Sequence, residues 1–514
     1  MDKAKHWYTK ATASGSSVSA ADIDSIFQAC LTHKDPEWGW AIIREVTENG
    51  RLKEDRDLWD SLFVWSAHNG KSVDEVDRMM EVMGRTNKTF RPRNQTINSL
   101  IAVANARNDS YLAERFLSLG LKWGVKPDAL TYLYQIDYRL SVGDVDGAQQ
   151  AYNQLQGQEV ESGEDVPRIN RLLQAVCATP KPSFERVMKI VDDLSERHAR
   201  FEPDTVSALS VLHLKRDEYH DVVDLLQTHV GNYSWEERAK VRDVFVNFCL
   251  DRRNPIARVW DTYMIFHQIF DETDRKVRTR IMNEFFTRRR ADMAVHVFNH
   301  MRQHIRPDTV ATLDTYVTAL VGIGRLGDAE SLDLIHNQLK LDLHVDPNTR
   351  LYNALMIGYT GCNDASRAME FWDDIAGSQE GPTTNSILVM FRACEMASFG
   401  EVKAQAIWRQ LNELDAEITK EMATEYIGAL AGNLMLDEAY NMVQNKLEQE
   451  YGFKPDVKIL GTLFNATRSR SRQPGVGTWI QSNFPEIWKE LEALGSKKNL
   501  NDTRNFRIDR TLEP

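Results

Sequence analysis

An all-α solenoid of helix-turn-helix hairpins is predicted by three features of this 514-residue chain. Apolar residues recur at helical spacing along most of its length, and a hairpin at 94–128 begins again, in the same order, at Ala129. Pro-Asp or Pro-Asn pairs also close units at intervals near multiples of 35 residues. Self-similarity at this period marks a stack in which each hairpin buries its apolar face against its neighbours.

The closing pairs are Pro127-Asp128, Pro203-Asp204, Pro307-Asp308, Pro347-Asn348 and Pro455-Asp456, separated by 76, 104, 40 and 108 residues. Proline ends one helix and fixes an extended approach to the next, whose first turn Asp or Asn can cap. A second register is the small residue at the twentieth position of a unit, where two helices of a tight hairpin approach closely: Ala113, Ala148, Ala294, Ala368 and Ala439. One helical turn later stand Leu117, Tyr152, Phe298, Trp372 and Val443, on the same face.

Taken in order, residues 1–18 read as a flexible segment, 19–494 as the solenoid of about thirteen hairpins, and 495–514 as a tail that is unstructured or extended along a partner. The first hairpin breaks between His33 and Pro36, and the second turns at His68-Asn69-Gly70. The best-formed units are 94–128, 129–165, 275–308, 349–383 and 420–456. Between 166 and 274 the repeats are degenerate, with ATPKPS inserted in one of them. The last unit is interrupted by TRSRSRQPGVG and closed by FPEIWKELEAL, whose polar face suits the exposed end of a stack.

At 42% hydrophobic and 27% charged, the chain can bury an extensive core. Five scattered cysteines without a CxxC pair point to a reducing compartment and away from zinc knuckles. No apolar run reaches the length of a membrane span. The first twenty residues contain no Arg and include Asp2, a poor organelle presequence, which suggests either a processed chain or a cytosolic one. The net charge of −12 is an unfavourable background for phosphate, so nucleic-acid binding requires a locally basic face.

The 35-residue units, their Pro-Asp closures and the segment TRLYNALMIGYTGCNDASRAMEFWDDI resemble pentatricopeptide repeats. The tetratricopeptide pattern of Trp, Gly-Tyr and late Ala-Phe is not met. The resemblance implies a right-handed superhelix and residence in the mitochondrial matrix. It also implies that one repeat meets one base of single-stranded RNA, read by its fifth residue with its last. Asn98 with Asp128 then resembles a uridine reader, and Asn170 with Asp204 another, provided the insertion keeps register. Thr279 with Asp308 and Thr424 with Asp456 resemble guanine readers, while Asn353 keeps half a pair because Thr383 stands where Asp is expected. Leu133, Leu388 and Gly461 hold the fifth position elsewhere and offer a base no side-chain hydrogen bond. Asn or Thr near a helix start and Asp at its cap are also what capping alone requires.

Charge supplies an independent lead. From 275 to 308 nine basic residues face three carboxylates, and Arg275, Lys276, Arg278, Arg280, Arg288, Arg289 and Arg290 form a stripe suited to phosphate or an acidic partner. Arg468, Arg470 and Arg472 form a second cluster, with serines between them. His296, His300 and His304 recur every four residues, yet no carboxylate or thiolate at similar spacing completes a metal site, and no cofactor is expected. Gly322-Ile323-Gly324-Arg325-Leu326-Gly327 fits GxGxxG but follows a helix instead of a strand, which removes its dinucleotide meaning. With no nucleotide loop, zinc motif or nucleophile elbow, catalysis is not expected.

Two functions follow. The first is a non-catalytic adaptor that holds single-stranded organelle RNA and supports transcript stability, processing or translation. The second is a protein-binding scaffold, resembling fungal members of the family that associate with respiratory complex I assembly intermediates. Acidic net charge and apolar reading positions favour the second.

Overall fold

A computed structural model describes residues 2–13, 18–158, 160, 163–498 and 502–514. The chain forms two compact units, Met1–Val244 and Phe245–Pro514, with the helix Trp235–Leu250 running through the division. Among the described residues no helix is long and apolar enough to cross a membrane.

Among the described residues six hairpins build the first unit, from Ala20–Thr32 with Pro36–Glu48 to Pro203–Lys215 with Tyr219–His229. Each first helix packs on its own second helix and on the first helix of the next hairpin. The predicted small-residue register explains how they approach: Ala113 and Ala148 are fully buried, and Leu117 and Tyr152 fill the space one turn later. Phe27 stacks on Trp65 at 4.7 Å, and Gly39 leaves the room that this indole occupies. The amino-terminal segment, expected to be flexible, is helical from Asp2 to Ala13. Lys5 pairs with Asp35 at 2.5 Å and the Tyr8 hydroxyl donates to Glu45 at 3.2 Å, which ties this helix to the first hairpin.

In the second unit the same packing continues through the hairpins that begin at Arg275, Leu313, Thr349, Thr384, Lys420 and Val457, and Pro485–Leu494 closes the stack. Ala294, Ala368 and Ala439 are again fully buried. Gly324 and Gly361 bring two first helices to backbone contact: a Cβ on Gly361 would stand 2.1 Å from the Gly324 carbonyl oxygen. The GxGxxG match is thereby accounted for, since it lies within Leu313–Leu326 and ends at Gly327, whose φ of 73° caps that helix.

Three of the five Pro-Asx closures cap as expected. Asp128, Asn348 and Asp456 accept from the backbone N–H of Thr131, Leu351 and Ile459. Pro203 instead enters the first turn of its helix, and Asp308 precedes the helix Leu313–Leu326 by a short loop that Thr312 ends.

The tail departs most from expectation. Ser496–Lys498 and Arg504–Phe506 form a two-stranded antiparallel sheet, with Ser496 paired to Phe506. Phe506 is buried against Phe464 and Trp488, at ring separations of 4.9 and 5.4 Å. Residues 502–514 therefore belong to the folded unit, because Phe506 completes an aromatic cluster that the last hairpin leaves open.

Candidate binding face

Fifth-position side chains all project from the first helices, and the structure treats them very differently. Asn98 Nδ2 donates to Asp128 Oδ1 at 2.9 Å, so the expected pair does meet. Thr131 Oγ1 donates to Asn98 Oδ1 at 2.7 Å, and Thr131 N donates to Asp128 Oδ1 at 2.9 Å. Burial raises the Asp128 pKa, but the hydrogen bonds from Asn98 and Thr131 outweigh it and hold the carboxyl below the usual range. Asn98 is 3% exposed, so its amide is largely spent inside the repeat.

Asn170 and Asp204 do not meet. Asn170 is fully buried, donates to the carbonyls of Val166 and Arg200, and accepts from Glu202 N at 3.0 Å. The register shift places Asp204 on the exposed first turn of the next helix. Thr424 is buried and donates to the Lys420 carbonyl, while Asp456 caps its own helix and pairs with Lys420 at 2.7 Å. Asn353 is buried with its Oδ1 unpartnered. Thr383 caps the helix Thr384–Met396 through Ser386.

Thr279 and Asp308 come closest to an open site. They line one surface depression of about 490 Å³ with Arg275, Lys276, Arg280, Asn283 and Thr315. Lys276 and Arg280 are exposed there and carry no ion pair among the described residues. Arg275 uses its guanidinium on the carbonyls of Pro307 and Val310, and Asp308 is paired with Arg306 at 2.6 Å.

The rest of the basic stripe breaks up. Arg278 is fully buried and donates to the carbonyls of Thr273 and Asp271, so it is no phosphate contact. Arg288 ties the preceding loop through the carbonyls of Asn254 and Asp251. Arg290 pairs with Asp292, and Arg289 is exposed at the turn with φ of 61°. The helix sends these side chains in different directions, which a linear charge count cannot show.

A different occupant lies across the downstream first helices. Residues 507–514 run over the helices Val457–Ala466, Lys420–Gly432, Thr384–Met396 and Leu313–Leu326. Ile508 fills the notch at Gly461, where an added Cβ would come within 2.9 Å of its Cγ2. Arg510 Nη2 reaches Glu395 at 2.6 Å and Glu425 at 2.5 Å, beside Gly428. Glu513 and Pro514 line a further depression with Arg325, Arg350 and Asn283. Gly461, one of the fifth positions unable to hydrogen-bond a base, thus makes room for polypeptide.

Glu395 and Glu425 are both nearly inaccessible, and Arg392 bridges them at 3.5 and 2.9 Å. Arg468 adds a contact to Glu395 at 3.1 Å. Burial raises the Glu425 pKa, but Arg510 and Arg392 overcome this and keep it below the usual carboxylate range. None of this socket was expected from sequence, apart from the presence of Arg468 in a basic cluster.

The chain is 30% identical, over its whole length, to Complex I intermediate-associated protein 84, mitochondrial, of Neurospora crassa, and spans 62% of that protein. It is an all-α chain of stacked helical hairpins. No protein-family profile matches it. Among solved structures it is similar to the pentatricopeptide repeat protein PPR10 from maize, with 15% identity, TM-score 0.33, and 95% of this chain and 76% of that one covered. It is also similar to yeast Rmd9p in complex with a 16-nt target RNA, with 10% identity, TM-score 0.34, and 85% and 91% covered.

The three spaced histidines go separate ways. His300 stacks on His267 at 3.8 Å and bonds the Tyr263 hydroxyl at 2.9 Å. His304 Nε2 bonds Asp271 at 2.9 Å, and His296 lies against Trp260. Burial, with the nearby charges of His267, His296 and Arg278, pushes the His300 pKa down to about 4, which favours a neutral core imidazole.

Proposed function

We propose that this chain is a non-catalytic, protein-holding assembly factor for mitochondrial respiratory complex I, acting in the matrix. The observation that carries the reading is the occupied face of the second unit. Where base-reading groups would have to stand free, residues 507–514 lie instead, anchored by Arg510 on Glu395 and Glu425. The buried, internally satisfied states of Asn98 and Asn170 support the same reading. So does the 30% identity to a complex I intermediate-associated protein, although this chain spans only 62% of that relative.

Native purification of a tagged chain from mitochondria tests this. Co-purification of inner-membrane complex I intermediates, and loss of mature complex I when the gene is deleted, are expected. Recovery of ribonucleoprotein alone would refute it.

A second reading, single-stranded RNA held at the upstream end of the unit, is favoured by one observation: Lys276 and Arg280 are exposed around Thr279. If RNA binds there, Lys276→Ser with Arg280→Ser lowers the slope of log affinity against log salt by about 1.4. No binding by shift assay at moderate salt eliminates this reading.

A further inference from the structure

We infer that the face containing Gly428 and Gly461 is a polypeptide-binding groove selective for an extended aliphatic-x-arginine segment, and that residues 507–514 occupy it as an exchangeable internal ligand. This deepens the proposed protein-holding role. It is testable on the purified chain alone, so failure to purify with complex I intermediates and failure of this groove are separate results.

The segment has the signature of a bound extended peptide. From Phe506 onward, exposure alternates strictly: Arg507, Asp509, Thr511 and Glu513 are exposed, while Ile508, Arg510 and Leu512 are partly covered. Alternation of this kind places successive side chains on opposite sides, so one edge reads the helices beneath it. Two helical glycines accommodate that edge, since a Cβ on Gly428 would fall 2.8 Å from Arg510 Nη2 and one on Gly461 2.9 Å from Ile508 Cγ2.

Attachment is uneven. Strand residues Arg504 and Phe506 are clamped by reciprocal amide bonds, Gln473 with Arg504 at 2.8 Å both ways and Asn465 with Phe506 at 2.8 and 2.9 Å. Beyond Phe506 the backbone receives much less from the helices: Arg392 donates to the Arg510 carbonyl at 3.3 Å and Asn385 to that of Pro514 at 3.5 Å. Its specific anchors are side chains, Ile508 and Arg510.

Charge balance favours exchange. When Arg510 leaves, Glu395 keeps Arg392 and Arg468, and Glu425 keeps Arg392, so two carboxylates remain with two guanidiniums. The vacated face holds no stranded buried charge, the condition that makes removal of one ion-pair partner costly. Thr360 adds a spare polar group, since its buried hydroxyl has no partner among the described residues and it lines a depression of about 350 Å³ with Arg510, Thr511 and Leu512.

The test uses the peptide NFRIDRTLEP, which is residues 505–514. A fluorescent form should bind the full chain carrying Arg510→Ala at least tenfold more tightly than the unaltered chain, while a peptide with its second arginine replaced by alanine gains nothing. A photoreactive group at the isoleucine should crosslink to 457–466 of the unaltered chain, with excess peptide but not polyuridylate competing. Equal binding of both peptides, competition by polyuridylate, or absence of crosslinks to that helix would overturn the inference. The crosslinking arm decides the matter if the Arg510→Ala chain does not fold.

Discussion

Glu425→Gln should destabilise the second unit far more than Arg510→Met, although both remove one charge from the same cluster. Glu425 contacts Arg510 at 2.5 Å and Arg392 at 2.9 Å, while Glu395 contacts Arg510, Arg468 and Arg392. Glutamine at 425 leaves three guanidiniums around one buried carboxylate, and an uncompensated buried charge of this kind costs about 3–5 kcal/mol. Methionine at 510 leaves two charges of each sign. Losing charge-assisted hydrogen bonds worth about 1.5–3 kcal/mol is then partly offset by burial of the thioether chain, for a net cost of about 1–2 kcal/mol. For a unit spanning Phe245–Pro514, each kcal/mol shifts Tm by about 2 °C. Calorimetry at pH 7 should therefore show falls of about 6–10 °C and about 2–4 °C, respectively. The Glu425 carboxyl is held below its ordinary value of 4.5, so its contribution is present above that pH and is lost as pH falls through the lower folded value. The gap between unaltered chain and Glu425→Gln should accordingly close in strong acid. An Arg510→Met loss equal to or larger than that of Glu425→Gln would refute the charge-balance reasoning.

Asp128→Ala removes a helix cap and the partner of Asn98 together, and should lower the stability of the first unit by about 2 kcal/mol in urea unfolding. Gly361→Ala should cost about 1–3 kcal/mol, because its Cβ would lie 2.1 Å from the Gly324 carbonyl oxygen and force the two helices apart; an unchanged melt would show that they shift freely. The pKa values of His300 and His336 are pushed down to about 4 from an ordinary 6.5, chiefly by burial. The unfolded state thus binds more protons between these limits, so the urea midpoint of the second unit should fall as pH drops from 6.5 to 4, and a flat midpoint would contradict their burial.

How much of this was legible follows from what each signal measures. Spacing of small residues reports backbone approach directly, and Ala113, Ala148, Ala294, Ala368 and Ala439 are buried as their register implied. The pairing of Asn98 with Asp128 was also legible, because a fifth residue and the next cap are brought together wherever the loop keeps its length. The same argument failed at Asn170, where the register shift put Pro203 inside the helix and Asp204 out of reach. Arg278 was misread as part of a surface stripe, yet helical spacing places it with Ile281, Met282 and Phe285, all buried. The tail carried a readable period of two in Phe506, Ile508 and Leu512, but the arginine at the third alternate position, Arg510, hid it. Its carboxylate partners come from two separate repeats, which no local pattern connects.

The two ends of the second unit ask for opposite charges. Upstream, Lys276 and Arg280 are exposed around Thr279, and Arg325 and Arg350 lie near Glu513. Downstream, Glu395 and Glu425 receive a guanidinium beside glycines that admit side chains. A uniformly anionic strand can satisfy only the first of these, since it carries no cation to take the place of Arg510 at the second. A polypeptide can carry both signs, as residues 507–514 do with Arg510 on the two glutamates and Glu513 lining a depression with Arg325 and Arg350. The mixed electrostatics of the face fit the chain's own tail, and on that fit the proposed protein-holding role rests.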